Sequence, residues 1–437
     1  MAAQAPTPVI ILPGIGQSKM IMVDENGNKI KDAWQLDFDV QKFSVLKKPL
    51  IRTMLLRRDL GLTDLFASLI RDALDPIATV PDGTMKHRIR VVDYPHSLAN
   101  STADEKRYIN KMVPCQKVAD RIGEDNIYFF AYNSFGEPYK TAAMLDEFIQ
   151  KVKAEHGVSK VNLLPVSMGG ALATAYFDAY GEKNDIKRVI YFVAALNGSA
   201  ITAGLLNKEI YAENLNGLVR MFASRDKADK LHKAFGLLPK KVGEALIDKI
   251  LDAVIETALV NAPAFWSIVP SHSYAALREK YLLKPEKAAL LEKTDRFYNA
   301  QKNYEAIIRR QQAAGTEFFG CVGYGLPLVG ISDPLRQTSD MIINLTSTAP
   351  GAKTAPLGSF LPADCTGEYI SPDRTVDASG ALFRDTMWYF AGQDHEGIAE
   401  NETALEIAAN VLSDDNFKNV YSDPAFPRFG KAAEKTD

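Results

Sequence analysis

The sequence predicts an α/β fold: a mostly parallel central sheet with helices on both faces and an inserted helical cap. Short apolar runs alternate with amphipathic helical patterns over residues 127–194, and such alternation needs a sheet covered on both sides. Residues 201–315 then read as helix throughout. Strand patterns return at 318–324 and 387–390, so the helical block is inserted between strands of one sheet. A block so placed caps the carboxyl ends of the strands, where open α/β sheets bind their ligands.

The elements follow in order. Residues 9–12 are an unbroken apolar run, ended by Pro13-Gly14-Ile15-Gly16, a loop in which glycine lets backbone approach a ligand closely. Residues 40–80 look helical and 88–92 alternate as a strand. Residues 127–132 form a strand, and 141–155 a helix with Ala143, Met144, Phe148 and Val152 on one face. Residues 161–164 are the next strand, 168–180 a small, apolar helix suited to a sheet face, and 189–194 another strand. After the strand at 387–390 comes a loop, a helix over about 400–412, and an expected loose tail from 424 to 437. The domains expected are a core of 8–200 and 316–420, with a helical insertion at about 37–87, and a cap of 201–315.

Composition narrows the function. Of 437 residues 46% are hydrophobic and 24% charged, enough for a sizeable core. Net charge is -3, and Lys and Arg form no long block, so no nucleic-acid footprint is present. No apolar run approaches the ~18 residues of a membrane span. Cys115, Cys321 and Cys365 lie too far apart for a zinc motif or disulfide framework and are expected reduced, though one bridge plus a free thiol remains open. No basic segment followed by an apolar stretch opens the chain, which is expected to be cytoplasmic as written, and exported if residues 3–5 are the remnant of a removed leader.

The chemistry centres on Pro165-Val166-Ser167-Met168-Gly169-Gly170. A strand ends in a serine followed by glycines, as in the G-x-S-x-G turn that exposes a nucleophilic hydroxyl between strand and helix. Pro165 stands where the first glycine is expected. A serine needs a base, an acid to orient it, and donors for the oxyanion. In this turn's known setting the order is Ser, acid, His. His395 is the histidine that follows the last strand, in a loop before a helix, and is the candidate base. Asp373, in Ser371-Pro372-Asp373-Arg374, is the candidate acid, with Asp377 the alternative; Asp333 and Asp340 read as turn residues. The oxyanion donors expected are the N–H groups of Met168, at the start of a helix, and Ile15, in the early glycine loop. The six histidines include no H-E-x-x-H pair, and this chemistry needs no metal or cofactor.

These segments resemble known families. Val166-Ser-Met-Gly-Gly170 resembles the His-Ser-Met-Gly-Gly turn of bacterial α/β-hydrolase lipases and esterases. Residues 11–19 resemble the opening of the lecithin–cholesterol acyltransferase family, with Trp34 matching a tryptophan soon after it. Asp373-Arg-Thr-Val376 is similar to the acid turn of these lipases, Asn197-Gly-Ser-Ala200 to their segment after the following strand, and residues 263–270, with Trp266, to the acyltransferase cap. The resemblance implies an α/β-hydrolase fold and an acyl ester substrate, lipid in character, with Trp34 and Trp266 as candidate substrate-binding residues. It leaves open water or an alcohol as acyl acceptor. The alternatives are a catalytically silent binding protein of this fold and a peptidase or amidase. Within the cap, Leu237, Leu238, Val242, Leu246, Ile247, Ile250, Leu251, Val254 and Leu259 recur at helical spacing. They read either as packing on the core or as a lid meeting a lipid interface, with Lys240 and Lys241 beside it.

Overall fold

The computed structural model describes residues 6–34, 42–210, 236–331, 333 and 335–433. The chain's first five residues, part of the 37–87 insertion, and 211–235 of the cap block lie outside the described residues. The apolar runs pair into a seven-stranded sheet of β1 (Val9–Leu12), β5 (Ile127–Phe129), β6 (Val161–Pro165), β7 (Ile186–Phe192), β8 (Glu317–Tyr324), β11 (Met387–Ala391) and β12 (Phe429–Lys431). The order is β12-β11-β8-β7-β6-β1-β5, and each neighbouring pair is parallel. The period of two along each strand divides the core. Ile10, Leu12, Val189, Tyr191, Met387 and Tyr389 face one layer. Val9, Ile11, Ile190, Phe192, Trp388 and Phe390 face the other.

Helices cover both faces. Pro138–His156 and Gly169–Tyr180 lie on the first, and Gln116–Ile122 and Glu402–Ser413 on the second. This is the architecture of the α/β-hydrolase fold, as the alternation of patterns implied. Two expectations need correcting. The tail past 424 is not loose along its whole length, because β12 extends the sheet beside β11. The helical block 201–315 also divides. Phe297, Ala300, Tyr304, Ile307 and Ile308, on helices Ala288–Lys302 and Tyr304–Ala313, join the core layer on the sheet's first face by packing on helix Gly169–Tyr180. Ala200–Asn207, Lys240–Val254 and Ser271–Tyr281 form a separate apolar layer instead.

That second layer also contains a small antiparallel sheet, ordered β3-β2-β4, of β2 (Met20–Val23), β3 (Lys29–Trp34) and β4 (Ile89–Val91), and elsewhere β9 (Lys353–Thr354) pairs antiparallel with β10 (Val376–Asp377). Asp24 closes the β2–β3 hairpin by accepting the N–H groups of Asn26 and Asn28 at 2.9 and 2.8 Å. The hairpin delivers Trp34 to the wall of the site. The helix at 62–74 packs on Lys240–Val254 above the carboxyl ends of the main strands.

Candidate active site

The site is built at the carboxyl ends of β1, β6, β8 and β11. β6 ends at Pro165, and the chain turns through Ser167 into helix Gly169–Tyr180. Ser167 has φ of 51°, a left-handed conformation that costs a non-glycine residue energy and concentrates at functional turns. The surroundings hold it there: its N–H donates to Phe192 O at 3.0 Å, and its carbonyl accepts Ala195 N–H at 2.9 Å. Gly169 and Gly170 are required by space. A Cβ on Gly169 would lie 2.3 Å from Leu12 O, and one on Gly170 2.8 Å from Ala194 Cβ. Pro165 fits because it pairs with Leu12 at the last step of the strand, while the ladder bond there is donated by Val166 to Leu12 O at 2.9 Å.

His395, in the loop after β11, places Nε2 at 3.0 Å from Ser167 Oγ. Its Nδ1 lies 2.7 Å from Oδ2 of Asp340, not of Asp373. Asp340 also accepts the His395 backbone N–H on its carbonyl at 2.8 Å. Its other carboxylate oxygen accepts the N–H groups of Ile342 and Ile343 at 3.0 and 2.7 Å. The turn reading of Asp340 therefore holds for one oxygen, while the second faces the imidazole. Asp340 is fully buried. Gly323, near the end of β8, leaves room for this approach, since a Cβ there would meet Gln393 O at 2.2 Å and Asp340 Cβ at 3.1 Å.

Asp373 lies elsewhere. It is exposed, and its carboxylate accepts Ser371 Oγ–H at 2.5 Å and Thr375 Oγ1–H at 2.8 Å, closing its own turn. Asp377 caps a turn through Ser379 N–H at 2.9 Å. Asp333 does the same for Leu335 and Gln337. All these acids lie between β8 and β11, so chain order alone could not separate them. The signal available in the sequence was the apolar run Met341-Ile342-Ile343 beside Asp340. A carboxylate set against such a run is buried and needs a partner.

Burial opposes charging the His395 imidazole, but the Asp340 charge and hydrogen bond outweigh burial and hold its pKa above the ordinary 6.5. A carboxylate can only accept, so Nδ1 carries the proton and Nε2 presents a lone pair to the serine.

The loop after β1 is fastened on several sides. Gly14 N–H donates to Gln17 Oε1 at 2.5 Å, and Gln17 Nε2 donates to Met112 O at 2.7 Å. Tyr132 OH donates to Pro13 O at 2.7 Å, and Trp34 Nε1 to Gly16 O at 3.0 Å. The loop packs so closely on Ser167 that a Cβ on Gly14 would sit 3.0 Å from Ser167 Cβ. Ile15 and Met168 both line the cavity at Ser167.

That cavity has a volume of about 540 Å³. Its walls include Trp34, Leu259, Phe265 and Ile268 on the cap side, and Val118, Leu405 and Ala408 on the other. Trp34, the first candidate substrate-binding tryptophan, lines this cavity edge-on to Phe135. Trp266 does not line the cavity: it is buried, with its indole N–H on Val260 O at 3.1 Å, and its neighbours Phe265 and Ile268 form the wall. The three cysteines are unpaired thiols. Among the described residues, no group of His, Cys, Asp and Glu is arranged to hold a metal ion, and no helix is long and apolar enough to cross a membrane.

No family model matches the chain, and no curated protein matches it. Among solved structures, it is similar to the mature form of the Bacillus licheniformis lipase BlEst2, with 13% identity and a TM-score of 0.32 over 68% of this chain and 83% of that one. It is similar to a chain of the Tle4–Tli4 complex, with 12% identity and a TM-score of 0.38 over 96% of this chain and 100% of that one. It is also similar to the phospholipase PlaB from Legionella pneumophila, with 14% identity and a TM-score of 0.27 over 59% of this chain and 44% of that one. Likenesses this distant carry no argument about what this chain does, which rests on its own geometry.

Proposed function

We propose that this chain is a serine hydrolase of carboxylic esters, acting on lipid esters through an acyl-enzyme. The observation that carries the reading is the line from Ser167 through His395 to buried Asp340, with gaps of 3.0 and 2.7 Å, set in the wall of an apolar cavity. Ser167 Oγ attacks the ester carbonyl while His395 Nε2 takes its proton. Asp340 holds the imidazole in the required tautomer and stabilises the imidazolium. The carbonyl electrons move onto oxygen, where the N–H groups of Ile15 and Met168 receive the charge at the start of a helix. Collapse of this intermediate expels the alcohol, which takes the proton from His395 and leaves an acyl group on Ser167. Water, deprotonated by His395, repeats the sequence and releases the acid. The apolar walls favour a hydrocarbon acyl chain.

The test is covalent labelling with a fluorophosphonate, followed by product analysis on a long-chain ester. The wild-type chain is expected to label and to release free fatty acid, and Ser167→Ala to do neither. An unlabelled wild-type chain overturns the proposal, and so does transfer of the acyl group to a sterol or diacylglycerol in place of water.

A further inference from the structure

The helix Lys47–Leu56 is apolar on two sides. Its inner side packs through Leu50 and Met54 on a cluster that includes Leu62, Phe66, Leu238 and Val242. Its outer side leaves Ile51, Leu55 and Leu56 between 57% and 76% exposed, and Leu60 follows at 49%. Packing against the fold explains one apolar stripe of a helix and not a second. The charges beside the outer stripe are of one sign. Lys47, Lys48, Arg52, Arg57 and Arg58 are all exposed, and no acid occurs from 44 to 58. Among the described residues none of the five makes an ion pair, in a chain whose net charge is -3. Asp59, the first acid beyond them, caps the next helix by accepting Leu62 N–H at 2.9 Å and Thr63 Oγ1–H at 2.6 Å.

We propose that this helix docks the protein on an anionic lipid bilayer, with Ile51, Leu55, Leu56 and Leu60 entering the boundary between headgroups and acyl chains and the five cations meeting lipid phosphates. Charge complementarity selects this occupant. A second copy of the chain would bring five unpaired cations against five more, whereas an anionic surface neutralises them. An exposed apolar face flanked by Lys and Arg is the pattern of a helix lying in the interface plane. Position supports it as well. The helix lies over Leu62–Leu74 and Lys240–Val254, whose last residues, Leu74 and Val254, line the catalytic cavity. The docking element thus packs on the two helices whose far ends reach the cavity. This deepens the lipid-ester reading by naming how substrate is presented, and it places the contact on an element other than the Lys240–Lys241 segment.

The test is sedimentation of the full chain with vesicles of phosphatidylcholine alone or mixed with phosphatidylglycerol, at low and high salt. The chain is expected to pellet with the mixed vesicles and to release as salt rises. Each cation is worth about fivefold in partitioning, so Arg57→Gln with Arg58→Gln is expected to weaken binding about 25-fold. Leu55→Ser with Leu56→Ser is expected to weaken it at every salt concentration. All four positions are exposed, so melting temperatures and hydrolysis of p-nitrophenyl butyrate should stay at the wild-type values. Wild-type chain that ignores the mixed vesicles overturns the proposal, as does a self-associated form that the leucine variant dissociates without any vesicle binding. Sedimentation reads binding without turnover, so it can fail while Ser167 still labels, and the reverse.

Discussion

Asp340 does two jobs with two oxygens, and this makes it the residue on which the arrangement depends most. One oxygen ties down Ile342 and Ile343 and fixes its own position; the other fixes the ring of His395. An amide in its place offers one acceptor for both tasks and presents an N–H₂ where Nδ1–H needs an acceptor. Asp340→Asn is therefore expected to lower kcat by roughly 10³–10⁴ by stranding the histidine in the wrong tautomer. Asp373→Asn, at an exposed turn, should stay within about twofold of wild type. The pH profile gives a second readout. In the proposed reaction His395 must be neutral to accept the serine proton, and its pKa lies above 6.5 because Asp340 favours the imidazolium more than burial opposes it. Activity is then expected to fall on the acid side with a midpoint above 6.5, and Asp340→Asn should move that limb to lower pH. An acid limb unmoved by this substitution sinks the assignment, whatever happens to kcat.

Among the elements, those with a strong local pattern were legible in the sequence. The parallel strands are continuous apolar runs because both faces are buried, and the helix after Ser167 is small and apolar because it packs on the sheet. The hairpin bearing Trp34 was missed: Lys29–Trp34 has an exposed, charged first half and gains its place only by pairing with Met20–Val23. Ser167 and His395 could be read because each sits at a strand end of fixed place in the chain. Asp340 left only the apolar run at 341–343 as a local mark, because its loop takes shape from distant partners, His395 among them. One long-range tie holds the helix that follows His395. Arg188 on β7 is buried, bonded to Glu317 at 2.6 Å and to the carbonyls of Val411, Asp414 and Asp415 at 2.6 to 3.0 Å. It satisfies the carboxyl end of Glu402–Ser413 and opposes that helix's negative pole. Arg188→Met leaves the buried Val411 carbonyl without this donor and is expected to cost about 1–3 kcal/mol. Chemical denaturation should show a lowered midpoint, and an unchanged midpoint would show that the helix end is held by other contacts.

At the scale of the whole molecule, the cavity crosses the line between the two layers, and its cap arm should set which acyl chains are accepted. Residues Ile255–Leu259 form a π-helical turn, a feature frequent at functional sites, and Ala258 and Leu259 on it line the cavity. Ala258 is the smallest wall residue on this turn, so enlarging it removes space without touching Ser167, His395 or the loop after β1. Ala258→Phe is expected to displace about three methylenes of a bound chain. At roughly 0.8 kcal/mol per methylene the loss is about 2.4 kcal/mol, or about 50-fold in kcat/KM for a long-chain ester. A butyrate ester, with little chain to displace, should keep near wild-type kcat/KM, which separates a filled pocket from a damaged catalytic line. The rate profile across p-nitrophenyl esters of increasing length checks this directly. A variant whose profile matches the wild type at every chain length would place the acyl chain in the other arm, between Val118 and Ala408.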